Sequence, residues 1–156
     1  MSNATAETSI AVHPVTPHLV CDGAAEAIEF YKQAFGATEV TRMADPNGKL
    51  MHAMVMINGS SVLLVDEFKD YGAISPKTLG GSPVTIHLTV PDVDAYVARA
   101  VEAGAKITMP VEDQFWGDRY GVIEDPFGHS WSIATPLPGA PATAEELQAR
   151  MKGQGM

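Results

Sequence analysis

The sequence is short of the residues that several classes of protein require. It has one cysteine, Cys21, so it cannot form an internal disulfide, and a lone thiol in an apolar predicted strand is typical of a small buried side chain. Lys and Arg number 10 against 19 Asp and Glu. The resulting net charge of −9 repels phosphate backbones, so we expect no nucleic-acid partner and a weak preference for cationic ligands.

Long apolar runs and several catalytic motifs are also missing. No run approaches the roughly 20 apolar residues that a membrane-spanning helix needs, so we expect no membrane insertion. Residues 1–12 carry no signal-peptide pattern, so we expect a tag-like or disordered segment and a cytoplasmic protein. The sequence has neither a Gly-rich phosphate loop nor a Gly-x-Ser-x-Gly elbow, and Cys21 has no recognisable catalytic partner.

What the sequence does contain is a repeated pattern. His18-Leu19-Val20-Cys21 precedes a helical segment closed by Gly36, and His87-Leu88-Thr89-Val90 precedes one closed by Gly104. The histidine and the glycine are 18 residues apart in the first copy (18 to 36) and 17 apart in the second (87 to 104). A repeat of this size indicates one supersecondary unit used twice.

Apolar periodicity and turn residues predict the same order of elements in both halves, a strand, a helix and three strands. In the first half these are His13–Cys21, Ala24–Phe35, Ala37–Met43, Leu50–Ile57 and Ser61–Glu67. In the second half they are Val84–Val90, Val93–Ala103, Ala105–Met109, Gly117–Glu124 and His129–Ala134.

This order predicts an α+β fold of two tandem β-α-β-β-β units. The units are residues 13–67 and 83–137, joined by a linker, 68–82, and followed by a tail, 138–156, with a short helix over Ala142–Met151. We expect the two units to form a curved mixed sheet around a shared cleft. Their edge strands are expected to pair with the other unit or with another copy, in a homodimer.

Several stretches in this order resemble one superfamily. They are Ala27–Tyr31, Ala34–Ala37, His52–Met54, Phe115–Arg119 and Asp125–Trp131. Over about residues 14–137 the chain resembles the vicinal oxygen chelate superfamily, which includes glyoxalase I, dioxygenases and bleomycin resistance proteins, and within it the PhnB-like branch. The resemblance implies the fold and a ligand-binding cleft. It leaves the reaction open, because metal enzymes and metal-free binders share this scaffold.

The resemblance also implies where a metal would be held. In the metal enzymes each unit supplies one ligand from its first strand and one from its last, and these positions align with Thr16, Leu64, Thr85 and Ser132. Leucine cannot bind a metal, and hydroxyls are poor ligands for Zn, Ni, Fe or Mn. A shift of two residues along each strand reaches His18, Asp66 and His87, the inventory of a facial triad. The alternative is two histidines that line or pack the cleft without a metal.

Other candidate residues have a functional and a structural interpretation. His52 and Met54 share one strand face, where they would contact a ligand, with His52 also able to transfer a proton or to be hydrogen-bonded in the structure. Trp116 and Arg119 would recognise a planar or anionic group, unless Arg119 pairs with Asp118 or Glu124. Glu124 would serve as a base if it faces the cleft, or cap a turn.

Two functions follow from these observations. The favoured one is metal-free binding or sequestration of a small molecule in the cleft by His18, His52, Met54, His87, Trp116 and Arg119. The alternative is a metal-dependent lyase, isomerase or dioxygenase, in which His18, Asp66 and His87 hold the ion and Glu124 and His52 move protons.

Overall fold

The computed structural model describes residues 12–141 and 143–155. The first half consists of β1 (His18–Cys21), α1 (Ala24–Phe35), β2 (Thr38–Ala44), β3 (Leu50–Ile57) and β4 (Ser60–Asp66). A short helix α2 (Pro76–Leu79) lies in the connection, after a 3₁₀ turn over Lys69–Tyr71. The second half consists of β5 (Thr85–Thr89), α3 (Val93–Ala103), β6 (Lys106–Asp113), β7 (Asp118–Glu124) and β8 (Ser130–Pro136), and α4 (Ala144–Gly153) follows.

The strands form two four-stranded mixed sheets with the same topology. Their orders are β1-β4-β3-β2 and β5-β8-β7-β6, and in each sheet the first and last strands of the unit pair in parallel. This confirms the predicted α+β fold of two tandem β-α-β-β-β units. No helix among residues 12–141 and 143–155 has the length and apolar character needed to cross a bilayer.

The two main helices begin and end where the sequence predicted. Gly36 ends α1 in the left-handed region at φ 65°, and its N–H donates to the carbonyl of Lys32, which is the usual glycine C-cap. The carboxylate of Asp92 accepts from the N–H of Ala95 and so caps the N-terminus of α3.

The first strand is shorter than predicted. It begins at His18 rather than His13, because Pro14 and Pro17 have no N–H to donate to a ladder. The preceding segment is fixed by side chains instead, since the N–H of His13 donates to Oγ of Ser61 at 3.0 Å. The second predicted strand of the second unit, Ala105–Met109, was too short, because β6 continues through two register shifts to Asp113. The predicted N-terminal segment before Val12, and Ala142 at the start of the predicted last helix, lie outside the described residues.

The two halves pack through their helices. α1 and α3 contact each other, α1 covers one face of the first sheet, and α3 covers one face of the second. A single core joins the halves, with Phe35 of α1 4.9 Å from Trp131 of β8 between ring centroids and stacked on Tyr96 of α3. The other face of each sheet therefore points away from this core. Within one chain, the apolar faces of the two units thus meet at the helix layer.

Two buried carboxylates secure this packing. Asp125, in the turn before β8, accepts hydrogen bonds from the hydroxyl of Tyr31 at 2.6 Å and from Nε1 of Trp131 at 2.9 Å. The first of these bonds links the halves. Asp66, at the end of β4, accepts from the N–H groups of Ala24 and Leu50 at 2.8 and 2.7 Å. Each carboxylate satisfies donors that the helix and the turns would otherwise leave unpaired.

Candidate functional site

The faces of the two sheets that point away from the helices are called here the open faces. On the second sheet, the register places His87 of β5 beside Ser132 of β8, and Tyr120 of β7 beside Ala134 of β8. Strand alternation puts these four side chains on one side, opposite Trp131 and Ile133, which are 0% exposed in the core. Together with Trp116, this group is called the aromatic face.

The aromatic face has a defined geometry around His87. Nδ1 of His87 lies 2.7 Å from Oγ of Ser132. The rings of His87 and Tyr120 are stacked, with their centroids 6.2 Å apart and their planes 17° apart. The rings of Trp116 and Tyr120 are T-shaped, with their centroids 5.3 Å apart. Ala134 is 1% exposed although it lies outside the helix-side core, which is the burial expected beneath the two rings. His87 itself is exposed, so its distal nitrogen is available to a ligand.

Trp116 and Arg119 lie on opposite sides of the second sheet, so they do not form one ligand-binding group. Nε1 of Trp116 donates to the carboxylate of Asp118 at 3.0 Å, on the open face. Arg119 lies on the helix side of β7, where Nε donates to Asp94 of α3 at 2.6 Å. Arg119 also pairs with Asp113 at 3.0 Å, and its hydrogen bonds to the two carboxylates raise its pKa above the usual value. Arg119 is therefore engaged in ion pairs away from the open face, and its partners differ from the two that the sequence suggested, Asp118 and Glu124.

The open face of the first sheet is apolar. It carries the alternate residues of β3 together with the matching residues of the neighbouring strands. This methionine face consists of Val20, Met43, His52, Met54, Met56, Leu63 and Val65, with His18 at its edge. Met54 is 4% exposed yet lies outside the core joined by the helices. The prediction that His52 and Met54 share one face of β3 is confirmed, and Ala53 lies on the other face.

The residues do not fit the metal centres that the resemblance implied. His18 pairs in register with Leu63, whereas Asp66 pairs with Cys21, three residues along the strand and so on the helix side. Both oxygens of Asp66 already accept backbone N–H bonds. His18 and His87 belong to different sheets. The structure therefore does not assemble the predicted triad of His18, Asp66 and His87, and the described part of the chain holds no cluster of three or more His, Cys, Asp or Glu with metal-binding geometry.

The other predicted set of metal positions, which includes Thr16, Leu64 and Ser132, does not form a metal site either. Leu64 is 0% exposed in the core, and Oγ1 of Thr16 lies 2.8 Å from Oγ of Ser61. Ser132 is bonded to His87. These contacts occupy the positions at which the metal enzymes of the superfamily carry their ligands.

The two predicted catalytic residues lie on different sheets. His52 is half-buried in the methionine face, and Glu124 is exposed at the end of β7 on the aromatic-face side. In the register Glu124 is paired with Lys106 of β6. The structure does not bring His52 and Glu124 into one catalytic group.

Two cavities lie where the strands β1 and β5 approach each other. One of about 440 Å³ is lined by residues that include His13, Ser61 and His87. The other, of about 460 Å³, is lined by residues that include His18 and Thr85. Both hold candidate histidines, but they flank the core rather than forming one enclosed cleft. Cys21 reaches neither, because it is 0% exposed, and burial raises the pKa of its thiol well above the usual value.

Sequence reasoning missed the roles of Tyr120 and Ser132. Tyr120 was recognisable as the alternative to Arg119 on strand alternation alone. Ser132 was considered only as a residue at a metal-ligand position, for which its hydroxyl is poorly suited. Its contact with His87 depends on the parallel pairing of β5 with β8, and sequence spacing does not fix that register.

The order of strands and helices and the two open sheet faces define a protein of the glyoxalase type. A family model described as the Glyoxalase/Bleomycin resistance protein/Dioxygenase superfamily matches residues 11–133. The chain belongs to this superfamily.

Similar proteins agree with this assignment. An uncharacterised protein of Mycobacterium tuberculosis H37Rv is 50% identical over 151 residues, which cover 94% of this chain and 88% of that protein. The crystal structure of the Arabidopsis thaliana At5g48480 product has a TM-score of 0.64 and 30% identity, and covers 80% of this chain and 99% of its own. A PhnB protein from Bacillus cereus shares the fold, with a TM-score of 0.61 and 19% identity over 79% of this chain and 99% of its own.

Proposed function

We propose that this chain binds a small planar molecule on its aromatic face without a resident metal. The observation that carries the proposal is the row of side chains formed by Trp116, Tyr120 and His87, which offers aromatic rings beside an exposed imidazole nitrogen. Aromatic rings stack on planar ligands, and a few fixed polar groups orient them. Glu112 and Glu124 share this side of the sheet, which favours uncharged or cationic ligands over anions.

Binding on this face is tested by titration with naphthalene, indole and quinoline. The chain has two tryptophans, and Trp131 is 0% exposed, so a ligand on the aromatic face changes the fluorescence of Trp116. We expect His87→Ala and Trp116→Ala each to weaken binding by at least about fivefold, since a lost aromatic contact costs about 1 kcal/mol. A thermal-shift assay follows binding in the Trp116→Ala variant.

The matched control is Tyr71→Ala. Tyr71 is an aromatic residue 88% exposed in the connection between the halves, far along the chain from the aromatic face. Its removal should leave the affinities unchanged. Equal losses in all three variants, or no loss in any of them, would place binding elsewhere.

The proposal also includes a second copy of the chain. A single chain leaves its aromatic face uncovered and its methionine face open. In the proposed dimer, the methionine face of one copy packs opposite the aromatic face of the other, with a cleft between them. Methionines suit this role because their side chains adapt to irregular ligand surfaces. A homodimer would thus supply the cleft that one chain lacks.

Two exposed apolar side chains test the homodimer. Met43 is 52% exposed on the methionine face, and Leu79 is 69% exposed in α2. We expect sedimentation velocity to show a dimer that Met43→Lys weakens by at least about tenfold, since a buried lysine needs a partner, while Leu79→Lys leaves it intact. A monomer at all concentrations, or equal effects of the two lysines, would contradict this arrangement.

Elemental analysis of protein purified without chelator distinguishes metal-free binding from the alternative, a metal-dependent enzyme. We expect no stoichiometric Zn, Ni, Fe or Mn in the wild type. Stoichiometric metal that is lost in His87→Ala would instead support the metal-dependent lyase, isomerase or dioxygenase of this superfamily.

A further inference from the structure

We propose that Ser132 fixes the tautomer of His87, so that the aromatic face selects ligands that carry a hydrogen-bond acceptor. This inference rests on the proposed function, because it names the class of ligand for the same face. Ser132 acts here as a positioning residue, and His87 is the residue that meets the ligand.

The first step concerns the serine hydroxyl. Ser132 is 4% exposed, so its hydroxyl hydrogen does not reach bulk water. Across residues 12–141 and 143–155, Oγ of Ser132 has one hydrogen-bond partner, Nδ1 of His87 at 2.7 Å. A buried hydroxyl hydrogen without an acceptor is unfavourable. The hydroxyl therefore donates to Nδ1, and Nδ1 carries no hydrogen in the neutral ring.

The second step follows from imidazole chemistry. A neutral imidazole carries one hydrogen, so an acceptor at Nδ1 implies an N–H at Nε2. The stack on Tyr120 holds the plane of the ring, and the contact with Ser132 holds its rotation. The exposed nitrogen of His87 is thus a fixed donor, and a ligand must present an oxygen or nitrogen acceptor to it.

The third step concerns the charge of that acceptor. The carboxylates of Glu112, Asp118 and Glu124 lie on the same side of the second sheet. They oppose a carboxylate or phosphate on the ligand. The ligand class is therefore an uncharged or cationic planar ring system with a carbonyl oxygen or a heteroaromatic nitrogen.

Nitrogen-15 NMR of the His87 ring tests the tautomer without any ligand. At a pH where the ring is neutral, we expect the Nε2–H form to exceed the Nδ1–H form by about tenfold, as one hydrogen bond allows. Ser132→Ala should lower this ratio several-fold, and Ser132→Thr, which keeps the hydroxyl, should restore it. Ser130→Ala is the matched control, because Ser130 lies two residues earlier on the same strand face and contacts Thr85. A predominant Nδ1–H form, or a ratio indifferent to Ser132→Ala, would overturn the inference.

Ligand selectivity is tested with quinoline, indole and naphthalene, which are bicyclic rings with an acceptor, a donor and neither. We expect quinoline to bind wild type about tenfold more tightly than indole, and Ser132→Ala to reduce that preference. Equal binding of quinoline and indole would overturn the selectivity. Binding of none of the three, together with the expected tautomer, would instead reject the proposed function while the state of His87 stands.

Discussion

The two open faces differ in chemistry although they lie on sheets of identical topology. The methionine face carries sulfur and aliphatic groups, and the aromatic face carries rings, hydroxyls and an ordered histidine. The helix sides of the sheets are alike, because both are buried in one apolar core. The comparison shows that a duplicated unit preserves the side that folds it and diverges on the side that faces away.

The largest expected effect compares the two buried carboxylates. Asp125→Ala should destabilise the protein by about 4 kcal/mol, because it leaves the side chains of Tyr31 and Trp131 without an acceptor in the core. Burial, and then the nearby Asp125 carboxylate, raise the pKa of the Tyr31 phenol well above its usual value, so the hydroxyl stays a donor. Asp66→Ala should cost about 2 kcal/mol, since it frees backbone N–H groups at the start of α1 and at the start of β3. Urea unfolding measures both changes.

The order of these two destabilisations can also come out reversed. A larger loss for Asp66→Ala than for Asp125→Ala would show that the carboxylate within the first half matters more than the one that joins the halves.

The next effect concerns Cys21, the last residue of β1, and Val90, the residue that directly follows β5. Cys21 and Val90 occupy matching places in the repeat and are 0% and 3% exposed. Because only the thiolate reacts, the raised pKa and the burial of Cys21 should slow iodoacetamide labelling by at least about a hundredfold relative to the unfolded chain. Mass spectrometry at pH 8 follows the reaction. Tyr71→Cys supplies an exposed thiol for comparison, and similar rates for the two thiols would contradict the buried position.

A smaller effect is expected when ligand affinity is compared between variants of His87 and His52, which lie on different open faces. His87→Ala should weaken quinoline binding by about tenfold, since it removes the donor. His52→Ala, on the methionine face, should weaken it by about threefold at most, because a half-buried histidine there contributes packing rather than a fixed hydrogen bond. Isothermal titration measures both affinities. Equal losses would show that the two faces contribute equally.

The smallest effect concerns the ion pairs of Arg119. The hydrogen bond from Arg119 holds the pKa of Asp94 below its usual value. A depressed pKa stabilises the fold above the unfolded value of about 3.9 and stops doing so as the pH falls through the folded value. The stability difference between wild type and Arg119→Ala should therefore shrink between pH 7 and pH 3. Asp94→Asn should show the same trend, and a difference that grows at low pH would refute this explanation.

The sequence predicts the parts of this fold that depend on local chemistry. Gly36 and Asp92 mark helix ends because caps are local, and the alternation in β3 separates Met54 from Ala53 because side chains alternate along any strand. The strand start at His18 was missed because the hydrogen bond from His13 goes to Ser61 in another strand.

The arrangement of the halves and the site were less predictable. The contact between His87 and Ser132 requires the pairing of β5 with β8, and the bond from Tyr31 to Asp125 spans 94 residues. The ion pair between Arg119 and Asp94 was not predicted, because Asp94 belongs to a helix that covers one face of the sheet. These contacts arise from packing between distant segments, which spacing along the chain does not record.

The connection between the halves has a consequence for protein engineering. Gly80 and Gly81 are exposed at the end of α2, and a methyl group built on either meets nothing within 4 Å. A chain opened between them yields two fragments, each with one sheet and one of the two main helices, α1 or α3, and these helices pack against each other in the intact chain. We expect such fragments to reassemble when they are mixed, with the hydrogen bond from Tyr31 to Asp125 formed again between them. The protein is therefore suited to use as a split reporter.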